Sequence, residues 1–107
     1  LPPRFTASDR LKEFPTELSR EHLGALTSGD SQNDLKVAEV LFGGRFGPVV
    51  AIDNADGVRI TFASGEIAHL RPSGNAPELR AYTEADSLVR AWEMNRQCLE
   101  LLAGWRR

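Results

Sequence analysis

Hydrophobic and polar residues alternate with a period of two through the second half of the chain. Val58, Ile60 and Phe62 are separated by Arg59 and Thr61, the pattern of a strand with one face buried. A short apolar run, Val49 to Ile52, precedes it, with turn chemistry at Asn54-Ala55-Asp56-Gly57. Ala63-Ser64-Gly65 then turns the chain into a second strand, Glu66 to Leu70, and Glu78 to Glu84 reads as a third member of the sheet. Short consecutive strands with tight connections favour antiparallel pairing.

The first half carries helical spacing. Two prolines stiffen the opening, Leu1 to Ala7, whose middle fits an edge strand. Pro15 marks a break, with Thr16 or Ser19 available to cap a helix bearing Leu18, Leu23 and Leu26. After a turn at Ser28-Gly29-Asp30, Ser31 and Asp34 predict a capping box. Leu35, Ala38 and Phe42 then share a helix face that Gly43-Gly44 should stop. The last helix begins at Asp86 or Ser87 and runs to about Ala103, with an apolar stripe of Leu88, Ala91, Trp92, Leu99 and Leu102 interrupted by Asn95. The order of elements predicts an α+β fold, an antiparallel sheet packed by helices on one face, with residues 1–107 forming a single domain.

Composition agrees with a folded domain: 107 residues, 41% hydrophobic and 26% charged. A net charge of −2 supplies no field for nucleic acid, and one cysteine, Cys98, excludes an internal disulfide and suits a reducing cytoplasm. No apolar run approaches the ~20 residues of a membrane span. Because Leu1 opens the chain, it reads as an excised piece or a processed product.

The most unusual segment is Arg71-Pro72-Ser73-Gly74-Asn75-Ala76-Pro77. Arg71 offers a planar fork of donors, Ser73 a hydroxyl and Asn75 an amide, while Gly74 admits close backbone approach and Arg80 can return from the next strand. An ordinary hairpin loop uses many of the same residue types. Local composition leaves both readings open.

The order of the residues adds a resemblance. Arg71 to Arg80, RPSGNAPELR, resembles the RPSGTEPxxR signature of the α-D-phosphohexomutase superfamily. Asp56-Gly57-Val58-Arg59-Ile60-Thr61-Phe62 and Tyr82-Thr83-Glu84-Ala85 are similar to the segments flanking that signature, so the match runs from about Ile52 to Leu102. The resemblance implies the last of four domains, with a TATA-box-binding-protein-like fold, whose loop clasps the phosphate of a sugar phosphate. By position, Arg71, Ser73, Gly74 and Asn75 would form the cradle, with Arg80 assisting. Asn75 stands in place of the usual threonine and Ala76 in place of the usual glutamate.

The superfamily interconverts hexose 6-phosphate and hexose 1-phosphate through a bisphosphate, using a phosphoserine and Mg²⁺. No signature for either occurs here: Asp30, Asp34, Asp53 and Asp56 lack metal-ligand spacing and read as caps and turn residues. Ser73 has no evident base, His69 reads as a sheet-face residue and His22 as a helix-surface residue, and Cys98, Trp92 and Trp105 as packing residues. No catalytic residue, metal or cofactor is therefore expected in this domain. Mg²⁺ is expected upstream, and the expected partners are a sugar-phosphate substrate and upstream domains of the same parent chain. A stand-alone anion-recognition module has the same donors. Nucleic-acid binding, prompted by the implied fold, is opposed by the acidic pI of about 5.7.

Overall fold

The computed structural model describes residues 3–106, so the expectations for Leu1, Pro2 and Arg107 lie outside the described residues. Five strands form one antiparallel sheet: β1 (Phe5–Leu11), β2 (Val49–Asp53), β3 (Val58–Phe62), β4 (Ile67–Pro72) and β5 (Leu79–Ala85), in spatial order β1-β5-β4-β3-β2. The β2-β3-β4-β5 segment is a meander, and β1 closes the sheet against β5. The fold is α+β.

The period-two pattern sets the two faces. Val58, Ile60, Phe62, Ala68, Leu70, Leu79, Ala81 and Ala85 point into one core. Helices α1 (Thr16–Ala25), α2 (Ser31–Phe46) and α3 (Leu88–Ala103) supply Leu23, Phe42, Phe46, Met94 and Leu102 to it. α3 lies against β1 and β5, and α2 against β2. The other face carries Arg10, Arg59, His69, Arg71, Arg80 and Tyr82, and no helix covers it among the described residues.

Helix boundaries depart from the sequence reading for identifiable reasons. Asp30, not Ser31, caps α2, accepting from the Asn33 N–H. Asp34 instead turns back to accept from the Ser28 backbone N–H and hydroxyl. Gly43-Gly44 does not end the helix. A Cβ at Gly43 would crowd the Glu39 side chain, whose carboxylate reaches the Val49 N–H at 2.9 Å, so this glycine serves packing. The stop is Gly47, whose φ of 86° takes the chain out of the helix. At α1, Pro15 occupies the cap position. Neither Thr16 nor Ser19 caps, and the Ser19 hydroxyl is buried without a partner.

The stripe on α3 is also rotated from the expected one. Leu88 and Trp92 are exposed, Trp92 at 48%, and the buried face runs through Ala91, Met94, Asn95, Cys98 and Leu102. Asn95 is part of the core. Its amide lies 3.2 Å from the Ala7 carbonyl, 3.0 Å from the Ala81 carbonyl and 3.2 Å from the Thr83 hydroxyl, tying α3 to β1 and β5 together. Ser87 caps this helix, as one of the two expected positions. Beyond α3, a single 3₁₀ turn, Gly104–Arg106, buries Trp105 against the His22 ring at 4.6 Å, so His22 is a stacked, half-buried residue. No helix among the described residues is long and apolar enough to cross a membrane.

Candidate functional site

The loop between β4 and β5 is held from both ends and from beneath. The Ser73 N–H donates to the Glu78 carbonyl at 3.0 Å and the Glu78 N–H to the Ala76 carbonyl at 2.8 Å. From below, the N–H of Phe14, fully buried, donates to the Pro77 carbonyl at 2.6 Å. The Asn75 N–H donates to the Ser73 hydroxyl oxygen at 3.3 Å, leaving the Ser73 O–H proton to donate outward. The Asn75 side chain has no hydrogen-bond partner among the described residues. Gly74 is not in the left-handed region, and a Cβ there would meet open space. Its backbone is thus uncovered rather than strained.

Register brings the arginines to this loop. Arg71 on β4 is the direct cross-strand neighbour of Arg80 on β5. Arg71 Nη2 pairs with Asp56 at 2.7 Å, and its guanidinium stands 5.4 Å above the Tyr82 ring. Arg80 pairs with Glu78 at 3.6 Å. Both Arg71 contacts leave donors of its fork uncommitted.

The turn before β3 supports Arg71 from the side. Gly57 has φ of 100°, and a Cβ there would collide with the Leu70 carbonyl and crowd Arg71. The His69 Nε2 lies 2.7 Å from the Asp56 carbonyl and 3.1 Å from the Ala55 carbonyl. A carbonyl only accepts, so this nitrogen carries the proton, and His69 staples the turn that presents Asp56. Its proton-bearing nitrogen is thereby unavailable as a base for Ser73.

Two clefts flank the loop. Arg71, Pro72, Ser73, Gly74, Arg80 and Tyr82 line one of about 180 Å³, which gathers four of the five sequence-predicted residues. Asn75 lies on the other side, in a cleft of about 470 Å³ shared with Ser73, Gly74 and the helix residues Thr16 and Arg20. Ser73 and Gly74 belong to both. A third cleft, of about 290 Å³ between the Ser28–Asp30 turn and β2, is lined by Asp34 and Asp53 and by no cation, so its field opposes an anion.

Sequence reasoning did not single out Asp56, Glu78, Tyr82 or Arg20 as site residues. For Tyr82 a signal existed, since it alternates with Arg80 on the exposed side of β5. The ion-pair partners carried none, because Asp56 reaches Arg71 from a turn fifteen residues upstream.

Two other kinds of reactive centre find no support among the described residues. Burial pushes the Cys98 thiol up to about 12, which suppresses the thiolate. No group of three or more His, Cys, Asp or Glu residues could hold a metal ion among the described residues.

These features define an α+β domain whose open sheet face ends in a donor-rich, cationic loop. A family model described as the phosphoglucomutase/phosphomannomutase C-terminal domain matches residues 9–100, and the chain belongs to that family. A protein named phosphomannomutase from Salmonella muenchen is 45% identical over 89 residues, covering 81% of this chain and 17% of the relative. Another phosphomannomutase, from Sinorhizobium fredii, is 52% identical over 58 residues, covering 54% of this chain and 12% of the relative. The chain therefore corresponds to a small part of the length of these relatives.

Proposed function

We propose that this chain is the substrate phosphate-binding domain of a phosphomannomutase-type phosphohexomutase, which interconverts hexose 6-phosphate and hexose 1-phosphate through a bisphosphate. One observation carries the reading: Arg71, Ser73, Gly74 and Arg80 converge on one cleft, on a loop whose sequence is RPSGNAPELR, in a member of the phosphoglucomutase/phosphomannomutase C-terminal family. The cleft offers a guanidinium fork, a hydroxyl proton and uncovered backbone, the donor set that suits a dianionic phosphate ester. Asn75 adds an unpartnered amide from the far side of the same loop.

The role is positional. Charge-assisted hydrogen bonds contribute about 1.5–3 kcal/mol each, and binding energy gathered on a remote phosphate orients the reacting hydroxyl elsewhere. On this reading, the phosphoserine and the Mg²⁺ implied by the family belong to other domains of the parent. Among the described residues, no group of three or more His, Cys, Asp or Glu gathers to hold such a metal. No step of phosphoryl transfer is assigned to them.

The test is Arg71→Ala in the full-length enzyme that carries this sequence. The expected result is a higher KM for mannose or glucose phosphate and a kcat/KM lower by about 10- to 100-fold, the loss of one charge-assisted contact set. Unchanged kinetics would remove the loop from substrate binding.

A further inference from the structure

One side chain near the loop is unaccounted for by the cradle. Arg10 on β1 is the direct cross-strand neighbour of Arg80, as Arg71 is on the other side, so three arginines stand in a row across β1, β5 and β4. Adjacent strands lie about 4.8 Å apart. Like charges directly opposite one another are destabilising, so the row demands counter-charge. Glu78 provides part of it. Its carboxylate, 16% exposed, sits between two arginines, one oxygen 3.4 Å from Arg10 Nε and the other 3.6 Å from Arg80 Nη2.

Those separations are long for ion pairs and leave most donors of both forks unused. Asp9, the other carboxylate nearby, accepts from the Arg10 backbone N–H at 2.8 Å and forms no ion pair with the guanidinium. A small polar cleft of about 80 Å³ lies here, lined by Ser8, Asp9, Arg10, Arg80 and Tyr82. It shares Arg80 and Tyr82 with the loop cleft.

We propose that Arg10 is a further phosphate-binding residue of this site. Glu78 holds it beside Arg80, and the anion at the loop meets a row of three arginines instead of two. The ligand is the phosphate ester of the proposed function, and the inference rests on that reading. The same glutamate carries the backbone groups that close the loop, through the Ser73 N–H and the Ala76 carbonyl. One residue thus contacts both the arginine row and the backbone closure of the loop.

The test is an NMR titration of the chain with inorganic phosphate, comparing Arg10→Ala, Arg10→Lys, Arg71→Ala and Lys36→Ala. Lys36 is an exposed cation on α2 and controls for net charge. Arg10→Ala should weaken phosphate binding about 3- to 10-fold, a modest loss because Arg10 is partly solvated. Arg10→Lys should recover part of that loss, and Lys36→Ala should change it little. Unaltered melting temperatures exclude a purely structural effect. If Arg71→Ala abolishes binding while Arg10→Ala matches the unsubstituted chain, the third arginine is refuted and the loop stands. Equal losses in Arg10→Ala and Lys36→Ala would reduce Arg10 to general charge and also refute it. If Arg10→Ala weakens binding and Arg71→Ala does not, the anion sits away from the loop, which overturns the loop reading and, with it, Arg10 as a member of this site. Absence of phosphate binding in the unsubstituted chain would overturn both.

Discussion

At Arg71 the guanidinium has two intramolecular partners that a ligand must share or displace. The Asp56 carboxylate is 70% exposed and the arginine 39%, so their pair is worth about 0–1 kcal/mol in water. A dianion bound by several donors would outcompete it. Asp56→Asn should therefore tighten phosphate binding by about 2- to 5-fold, the most such an exposed pair can withhold. Asparagine tolerates the positive φ of 51° at this position, so the turn should persist. An isothermal titration with phosphate checks this, and weaker binding in the variant would mean that Asp56 positions Arg71 instead of restraining it. Cys98 gives an independent residue-scale outcome. With its thiol pushed up to about 12 by burial, alkylation at pH 8 should proceed only as fast as the chain opens. Arg71, Ser73 and Arg80 were legible from their order along the chain. The partners Asp56 and Glu78 were not, because acidic residues in turns and at strand ends have backbone roles that the sequence does not distinguish from pairing.

At the scale of elements, the β3–β4 hairpin and α3 hold the site in register. Gly57 lies so close to the Leu70 carbonyl and Arg71 that Gly57→Ala must displace the start of β3. With backbone strain at positive φ, this should cost about 2 kcal/mol or more in denaturant unfolding. It should also move Arg71. Asn95 fixes β1 against β5, the two strands carrying Arg10 and Arg80. Asn95→Leu strands the carbonyl acceptors it now satisfies and should cost about 1–3 kcal/mol. Stability equal to that of the unsubstituted chain would show the amide to be dispensable. The strands of the meander were readable because their alternation is unambiguous, as at Val58, Ile60 and Phe62. The face of α3 was misread because hydropathy counts Asn95 as polar and Trp92 as apolar, whereas the sheet offers Asn95 three acceptors and leaves Trp92 half outside. Gly43-Gly44 misled for a similar reason. A helix tolerates glycine when a neighbouring side chain, here that of Glu39, needs the space.

For the whole molecule, acid is the expected point of weakness. The Ser28 hydroxyl holds the Asp34 carboxyl below its ordinary value of 3.8, and the Arg90 guanidinium holds Glu66 below 4.5. Depressed carboxylates contribute stability that is complete above their unfolded values and is lost as pH falls through the folded ones. The melting temperature should thus be flat above about pH 5 and drop below pH 4.5, with a shallower drop in Ser28→Ala. The α+β architecture followed from the order of patterns, but the pairing of β1 with β5 spans most of the chain and left no local trace. That closure sets Arg10 beside Arg80.

Whether the bend after β4 binds phosphate is decided by mapping amide resonance shifts as inorganic phosphate is added to the chain. Saturable shifts should concentrate at Ser73, Gly74 and Asn75 and at the side-chain resonances of Arg71 and Arg80. Shifts scattered over the surface, or none at these residues, would mean that the bend is not a phosphate site.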